Sequence, residues 1–324
     1  MTFIYRGPAT RVEVVGDFTG WSPRGLVMRE LPGAGVKYLT RKFSPRARVE
    51  YKLITDGKWI EDPLNPNKID NGVGGFNNFF AMPGYQPTTL DRPVAGPQTM
   101  IEVHKVASRL LGGERKVQVY LPPDYMNSRE RYPVLYLQDG TEYINRARAV
   151  QIAGSLIAQK RVPPFIIVFV DPVDRTKEYW ANDAFADFMA TELMPWIDAR
   201  YRTRPERDAR ALLGASLGSV ISYWTALRHP EKFARVGGQS SAFWIDDERV
   251  VSALSRLDAA RAERPFRFYL DAGLLEAPYA VSRRVRVMLR AKGYPVAYRE
   301  FEAGHNWTAW RDNLAEAFVA LWEN

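Results

Sequence analysis

The pentapeptide Gly214-Ala215-Ser216-Leu217-Gly218 constrains this chain more than any other stretch. An apolar strand pattern, Arg210-Ala211-Leu212-Leu213, runs straight into it, and a helical pattern, Val220 to Leu227, runs out of it. A strand that turns into a helix over so few residues forces the serine into a strained backbone conformation and leaves room only for glycine on either side. The strain lifts the hydroxyl away from the backbone at the top of the sheet. The helix that follows aims its positive amino end at any negative charge that develops there. The expectation is a nucleophilic serine, Ser216, at a strand-to-helix elbow.

The surrounding pattern supplies the sheet such an elbow needs. From residue 99 onward, strand and helix signals alternate. Strands are predicted at Ile101–Val106, Lys116–Leu121, Val134–Gln138, Phe165–Val170, Arg210–Gly214, Arg235–Gly238, Phe266–Asp271 and Val296–Phe301. Helices are predicted at Tyr143–Gln159, Asn182–Ala199, Leu217–His229, Asp247–Arg261, Tyr279–Lys292 and Trp307–Trp322. Short β-branched or aromatic runs ending in Asp or Gly predict a mostly parallel sheet covered on both faces. Residues 1–84 read differently. They are rich in Gly, Pro, Asn and aromatics, with alternating stretches at Arg11–Val15, Lys37–Phe43, Val49–Thr55 and Asn78–Met82. Turn signals separate these stretches, as in a small β-sandwich. Residues 85–98, with Pro87, Pro93, Gly96 and Pro97, read as a linker. The fold class is therefore α/β, an α/β-hydrolase fold over 99–324 with an N-terminal β-sandwich domain.

A serine hydroxyl needs a general base. The chain has three histidines and no cysteine, so thiol catalysis, disulfides and cysteine-ligated metals are excluded. His229 closes the helix after Ser216, at the end remote from the serine. His104 lies within the first strand of the second domain. His305, in Gly304-His305-Asn306-Trp307, falls between the last strand and the last helix, where a loop meets the carboxyl edge of the sheet. The acid must lie between Ser216 and His305 if the order is Ser, acid, His. Asp271 ends a strand; Glu276 lies beyond the glycine turn Gly273, where its side chain can reach an imidazole. Glu276 is preferred and Asp271 is the alternative. An oxyanion hole needs two backbone N–H groups. Leu217 supplies one, and Gly140 or Thr141, in the loop after the third strand, the other.

Charge and composition narrow the partners. Lys and Arg total 45 against 37 Asp and Glu, a formal net charge of +8. No dense basic run and no nucleic-acid motif accompany it, so the excess reads as a solvated surface that favours an anionic small molecule. The histidines are too scattered for a metal site, and no cofactor motif is present. No secretion signal is evident, and the most apolar run, Phe165 to Val170, is too short to span a bilayer, so a cytoplasmic protein without membrane or nucleic-acid partners is expected.

Residues 99–324 resemble the esterase family of α/β-hydrolases that includes enterochelin (catecholate siderophore) esterases, feruloyl esterases and esterase D. The stretches that carry the resemblance are Val119-Tyr-Leu-Pro-Pro-Asp-Tyr125, Val134-Leu-Tyr-Leu-Gln-Asp-Gly140, Glu192-Leu-Met-Pro-Trp-Ile197, Gly214-Ala-Ser-Leu-Gly218 and Gly304-His-Asn-Trp307. The resemblance implies Ser216 as nucleophile, His305 as base and Glu276 as the acid of Gly273–Glu276. Ser219 stands where a second glycine is common. Residues 11–82 look like the immunoglobulin-like glycogen-binding modules of starch enzymes, through Val15-Gly-Asp-Phe-Thr-Gly-Trp21, Tyr51-Lys-Leu-Ile-Thr-Asp-Gly-Lys-Trp59, Asp62-Pro-Leu-Asn-Pro66 and Gly74-Gly-Phe-Asn-Asn78. In binding members two tryptophans stack on sugar faces while a lysine and an asparagine bond hydroxyls. The matching positions are Trp21, Trp59, Lys52 and Asn77. Such a module also serves as a lid or spacer.

Three functions follow. The first is a serine carboxyl-ester hydrolase of the siderophore-esterase type, with Arg175, Lys177, Tyr179, Trp180 and Trp307 as candidate substrate contacts. The second applies the same chemistry to a feruloyl or acetyl carbohydrate ester, the first domain holding the glucan. The third is a non-catalytic carbohydrate-binding protein. The complete set of Ser, acid and His positions argues against the third.

Overall fold

The structure, a computed structural model, describes residues 1–93, 100–245, 249–259, 265–276 and 279–323. Positions 94–98 of the expected linker and the two ends of the expected 247–261 helix lie outside the described residues. Two compact units are present. One comprises Met1–Pro87 with Gly273–Tyr279 and Glu300–Ala309; the other comprises Thr88–Ala272, Ala280–Arg299 and Trp310–Asn324.

The eight-stranded sheet runs in the order Met100–Ala107, Glu114–Leu121, Ile166–Val170, Val134–Gln138, Arg210–Ala215, Arg235–Gln239, Arg267–Gly273, Val296–Phe301. Its first two pairings are antiparallel, and those from Ile166–Val170 through Arg267–Gly273 are parallel. The strands Val134–Gln138, Ile166–Val170 and Arg210–Ala215 are buried along their whole length. That is why they read as unbroken apolar runs rather than alternations. All eight expected strands are present, within two residues at each end.

The helices depart from expectation in three places, one of them the expected 247–261 helix, which runs Arg249–Ser255 and ends before the described residues 256–259. The expected helix Tyr143–Gln159 is two helices, Gly140–Asn145 and Ala149–Ala158, because Arg148 adopts a left-handed conformation (φ 53°) and breaks the hydrogen-bond ladder. The expected helix Asn182–Ala199 is helical from Asp183 to Asp198, but Phe188–Leu193 winds as a π-helix, so its inward face shifts partway along. A short helix at Arg175–Tyr179, capped by the Asp174 side chain on the Lys177 N–H, was not expected.

The N-terminal unit holds two antiparallel sheets, as the alternating stretches predict. Thr2–Tyr5, Val36–Thr40 and Arg29–Leu31 form one. Leu26–Val27, Val12–Gly16, Arg48–Thr55, Phe76–Ala81 and Lys68–Asp70 form the other, with Lys58–Ile60 also paired to Arg48–Thr55. Their facing side chains share one core of Phe3, Val12, Val14, Val49, Tyr51, Leu53 and Phe80. Phe3 meets Tyr51 edge-on with centroids 4.9 Å apart. The Tyr51 hydroxyl donates to Asp62 at 2.7 Å and accepts from Asn65 at 3.0 Å, so the Asp62–Pro66 stretch is fastened to the core by its polar side chains.

Candidate active site

Ser216 sits where Arg210–Ala215 gives way to the helix Leu217–Arg228, with φ 55° and ψ −120°. A non-glycine residue in that region is strained, and the strain has identifiable supports. The Ser216 N–H donates to the Gln239 carbonyl at 2.9 Å on the neighbouring strand. A Cβ on Gly214 would lie 2.3 Å from the Gly218 carbonyl, and a Cβ on Gly218 would lie 2.9 Å from the Asp139 carboxylate. The two glycines let strand and helix close on each other, as the motif predicts. Gly238 has the same function behind the elbow: a Cβ there would lie 2.2 Å from both the Ser219 and Ser241 hydroxyls, which bond each other at 2.6 Å. The departure at Ser219 is thus absorbed by a partner hydroxyl on the next loop.

Arg175 is ion-paired, with its side chain 39% exposed. Its Nε and Nη2 donate to the two Asp139 oxygens at 2.7 and 2.8 Å, and Nη2 approaches the Ala215 carbonyl at 3.4 Å. Asp139 is buried, which pushes its carboxyl up despite Arg175. The pair braces the elbow from beneath. Lys177 is exposed, Tyr179 is fully buried with its hydroxyl accepting from the Asp139 N–H and donating to the Val170 carbonyl, and Trp180 is exposed at the end of the same short helix. Trp307 is half-buried at the start of the last helix.

The other two chemical groups lie in the loops Gly273–Glu276 and Ala303–Asn306. His305 Nδ1 is 2.8 Å from Glu276 Oε2, and the other Glu276 oxygen accepts the Gly273 N–H at 2.7 Å. The Glu276 side chain is 2% exposed and that of His305 is 31% exposed. The turn requires its glycine, since a Cβ on Gly273 would lie 2.3 Å from the Ala303 carbonyl and 2.6 Å from Glu276 Oε1. The Leu274 and Leu275 N–H groups donate to the Phe301 and Ala303 carbonyls at 2.8 and 3.2 Å, which ties the acid loop to the histidine loop. Asp271 is fully buried and has its own donors: the Ser240 N–H at 2.9 Å, the Tyr269 hydroxyl at 2.9 Å and the Gln239 amide at 3.3 Å.

Of the two candidates beside Leu217 for the oxyanion hole, Thr141 donates its N–H to Asp171 at 2.7 Å. That leaves Gly140, the first residue of the helix Gly140–Asn145, where a Cβ would lie 2.6 Å from Phe169 Cβ. The remaining histidines have structural partners: His104 Nε2 lies 2.7 Å from the Tyr201 hydroxyl, and His229 Nε2 lies 2.8 Å from Asp187.

Of the four sugar-contact positions, Asn77 is buried and Trp21 is half-buried with its indole edge bonded. The Asn77 amide, buried, donates to Glu50 at 2.9 Å, and the Trp21 indole N–H donates to Asp17 at 3.2 Å. Trp59 is 44% exposed, and Lys52 is half-buried on the strand that pairs with it. Sequence reasoning missed Asp17 and Asp139. Asp139 carried a faint signal, since an Asp-Gly after an apolar strand marks a turn at a sheet edge.

Comparison with known proteins gives a consistent result. The profile of the family described as "Putative esterase" matches residues 108–321. The iron(III) enterobactin esterase of Escherichia coli (strain K12) is 26% identical over 278 residues, covering 82% of this chain and 68% of that protein. The uncharacterized protein YbbA of Bacillus subtilis is 27% identical over 166 residues, covering 46% of this chain and 66% of that protein. The chain thus spans about two thirds of the length of these curated relatives. A crystal structure of ferric enterobactin esterase from Salmonella typhimurium superposes with a TM-score of 0.81 at 22% identity, covering 99% of this chain and 93% of that one, which shows a shared fold. A ferulic acid esterase structure superposes with a TM-score of 0.62 at 21% identity, covering 70% of this chain and 98% of that one.

Proposed function

Because the chain belongs to the esterase family whose profile spans residues 108–321, and so stands among carboxylic ester hydrolases, we propose that it is a serine esterase of the enterobactin-esterase type, with Ser216 as nucleophile, His305 as base and Glu276 as the acid behind it. The observation that carries the reading is the strained, glycine-flanked conformation of Ser216, which the fold maintains at a cost of about 1–3 kcal/mol.

The chemistry follows from the groups. His305 presents Nδ1 to Glu276, so Nε2 is the nitrogen left to act as base. Nε2 takes the Ser216 proton as Oγ attacks the ester carbonyl carbon. The resulting oxyanion is received by the Leu217 and Gly140 N–H groups, at the amino end of the helix Leu217–Arg228. Collapse of the tetrahedral species breaks the acyl–oxygen bond, and His305 returns its proton to the departing alcohol. Water, activated by the same imidazole, then adds to the acyl-enzyme and releases the acid. Glu276 holds the imidazole tautomer and stabilises its cation without taking the proton.

The substrate we assign is an anionic catecholate ester. The excess of 45 basic over 37 acidic residues favours an acidic small molecule, and the enterobactin esterase similarity covers 82% of the chain, against 67% for the xylanase/feruloyl esterase of Xylanibacter ruminicola. The burial of Asn77 against Glu50 weighs against a glucan partner. A p-nitrophenyl butyrate assay tests the chemistry: Ser216→Ala is expected to lose nearly all turnover, and wild-type rates in that variant would remove the nucleophile assignment. Comparison of ferric enterobactin with methyl ferulate and acetylated xylan tests the substrate; faster turnover of either of the latter would overturn the catecholate assignment.

A further inference from the structure

The loops bearing His305 and Glu276 belong to the same compact unit as the N-terminal sandwich, and the contacts that join them are specific. Leu275, beside the acid, packs against the sandwich core together with Phe18 and Phe43. Glu302, at the start of the histidine loop, accepts the Arg48 N–H on its carbonyl at 3.2 Å, and its carboxylate accepts from the Ser44 hydroxyl and, at 3.0 Å, from Arg46. Deepest of these contacts is Asp17, which is 2% exposed. Its Oδ2 accepts the Glu50 N–H at 2.8 Å and the Asn306 amide at 3.4 Å, and its Oδ1 accepts the Trp21 indole at 3.2 Å. Gly304 lies so close that a Cβ there would fall 2.0 Å from the Asp17 carboxyl carbon. Asp17 therefore touches the residues immediately before and after His305.

We propose that Asp17 is a positioning residue for His305: the sandwich module sets the imidazole loop through Asp17, its contact with Gly304 and its bond to Asn306. The inference rests on the reading of His305 as the base. It gives the Val15–Trp21 stretch a use other than sugar recognition, since Asp17 and Trp21 are bonded to each other and Asp17 is spent on the histidine loop. At pH 8, where the Asp17 carboxyl is ionised, its two oxygens accept from all three N–H groups that meet it. An asparagine in either orientation would turn an NH2 group against at least one of these donors and loosen the loop.

The test uses the full chain at pH 8 with p-nitrophenyl butyrate, an ester too small to need a sugar or siderophore site. Asp17→Asn and Gly304→Ala are expected to lower kcat roughly 10- to 100-fold with KM unchanged, because an ångström-scale misplacement of a catalytic group costs about that much. With three histidines in the chain, the low-field proton of the His305 Nδ1–H bonded to Glu276 is assignable by its loss in His305→Gln. That resonance is expected to shift or broaden in both variants, which a merely structural substitution would not produce. Unchanged kcat and resonance in both single variants, or a rate loss that only tracks the folded fraction, would overturn the proposal. Full activity in Ser216→Ala or His305→Ala would instead sink the underlying esterase assignment, so the two failures are distinguishable.

Discussion

His305 meets Glu276 through Nδ1, at 2.8 Å from Oε2, while the second Glu276 oxygen is pinned to the Gly273 N–H at 2.7 Å. The acid can therefore neither rotate away from the imidazole nor exchange its oxygens without breaking a bond in its own turn. That fixes the ring orientation, and it makes the acid's contribution separable from its effect on folding.

Glu276→Gln preserves shape and the bond to Gly273 but can present an N–H to Nδ1, which favours the tautomer with the proton on Nε2. That nitrogen is then unable to act as base. The expected result is a loss of roughly 10²–10⁴-fold in kcat with a Tm within a few degrees of wild type. Asp271→Asn should show the reverse. It leaves the donors from Ser240, Tyr269 and Gln239 imperfectly matched in a fully buried site, so stability should fall by about 1–3 kcal/mol in urea unfolding, with kcat of the folded protein largely kept. Equal kinetic losses in the two variants would contradict this division.

Gly214 and Gly218 are expected to differ in their tolerance of a methyl group. At Gly214 the added carbon would meet helix backbone at 2.3 Å, which cannot yield without opening the elbow. At Gly218 the nearest atoms are the Asp139 carboxylate at 2.9 Å and Gln138 Cβ at 3.2 Å, and a side-chain tip gives more easily than backbone. Gly214→Ala should abolish soluble folded protein or activity, whereas Gly218→Ala should fold with reduced kcat. Purification yield, circular dichroism and the ester assay together read this order.

Arg175→Ala tests whether that arginine binds substrate or braces the elbow. Removing it strands the Asp139 carboxylate, whose side chain is 4% exposed, although Arg175 itself is 39% exposed and its charge is partly screened. A Tm decrease equivalent to about 1–3 kcal/mol is expected, together with similar kcat losses on p-nitrophenyl butyrate and on an anionic ester. A rise in KM confined to the anionic ester, with unchanged Tm, would show Arg175 to be a substrate contact.

The sheet and the two ends of the elbow were legible in the sequence because they depend on local facts: apolar runs, turn residues and glycines flanking a serine. The adjacency of Glu276 to His305 was legible because few loops can reach the carboxyl edge of such a sheet. What could not be read depends on partners far away in the chain. Asp17 meets Asn306 and Gly304 across almost the whole sequence, and its motif resembled one used elsewhere for sugar recognition. Arg175 resembled an open cation because nothing local announces its pairing with Asp139. The break at Arg148 was hidden because a left-handed arginine carries no compositional mark.

The last prediction concerns Asp17 and pH. Burial, followed by the neighbouring Glu50 carboxylate, raises the Asp17 carboxyl from 3.8 to about 7; the Glu50 N–H, the Trp21 indole and the Arg48 guanidinium oppose the rise without cancelling it. Glu50 is itself bonded to Arg48 at 2.8 Å and to Asn77 at 2.9 Å, and Arg41 and Glu276 line a cavity of about 360 Å³ with Asp17. Between about pH 4 and 7 the folded protein keeps a proton that the unfolded chain has released. Stability therefore falls as pH rises through that window, and the proton's benefit is spent by pH 8. Asp17→Asn has no such proton to lose. Its urea unfolding free energy should lie further below wild type at pH 5 than at pH 8, so the gap narrows as the solution becomes more alkaline. Parallel profiles for the two proteins from pH 5 to 8 would show that Asp17 ionises in the folded state as it does in the unfolded chain.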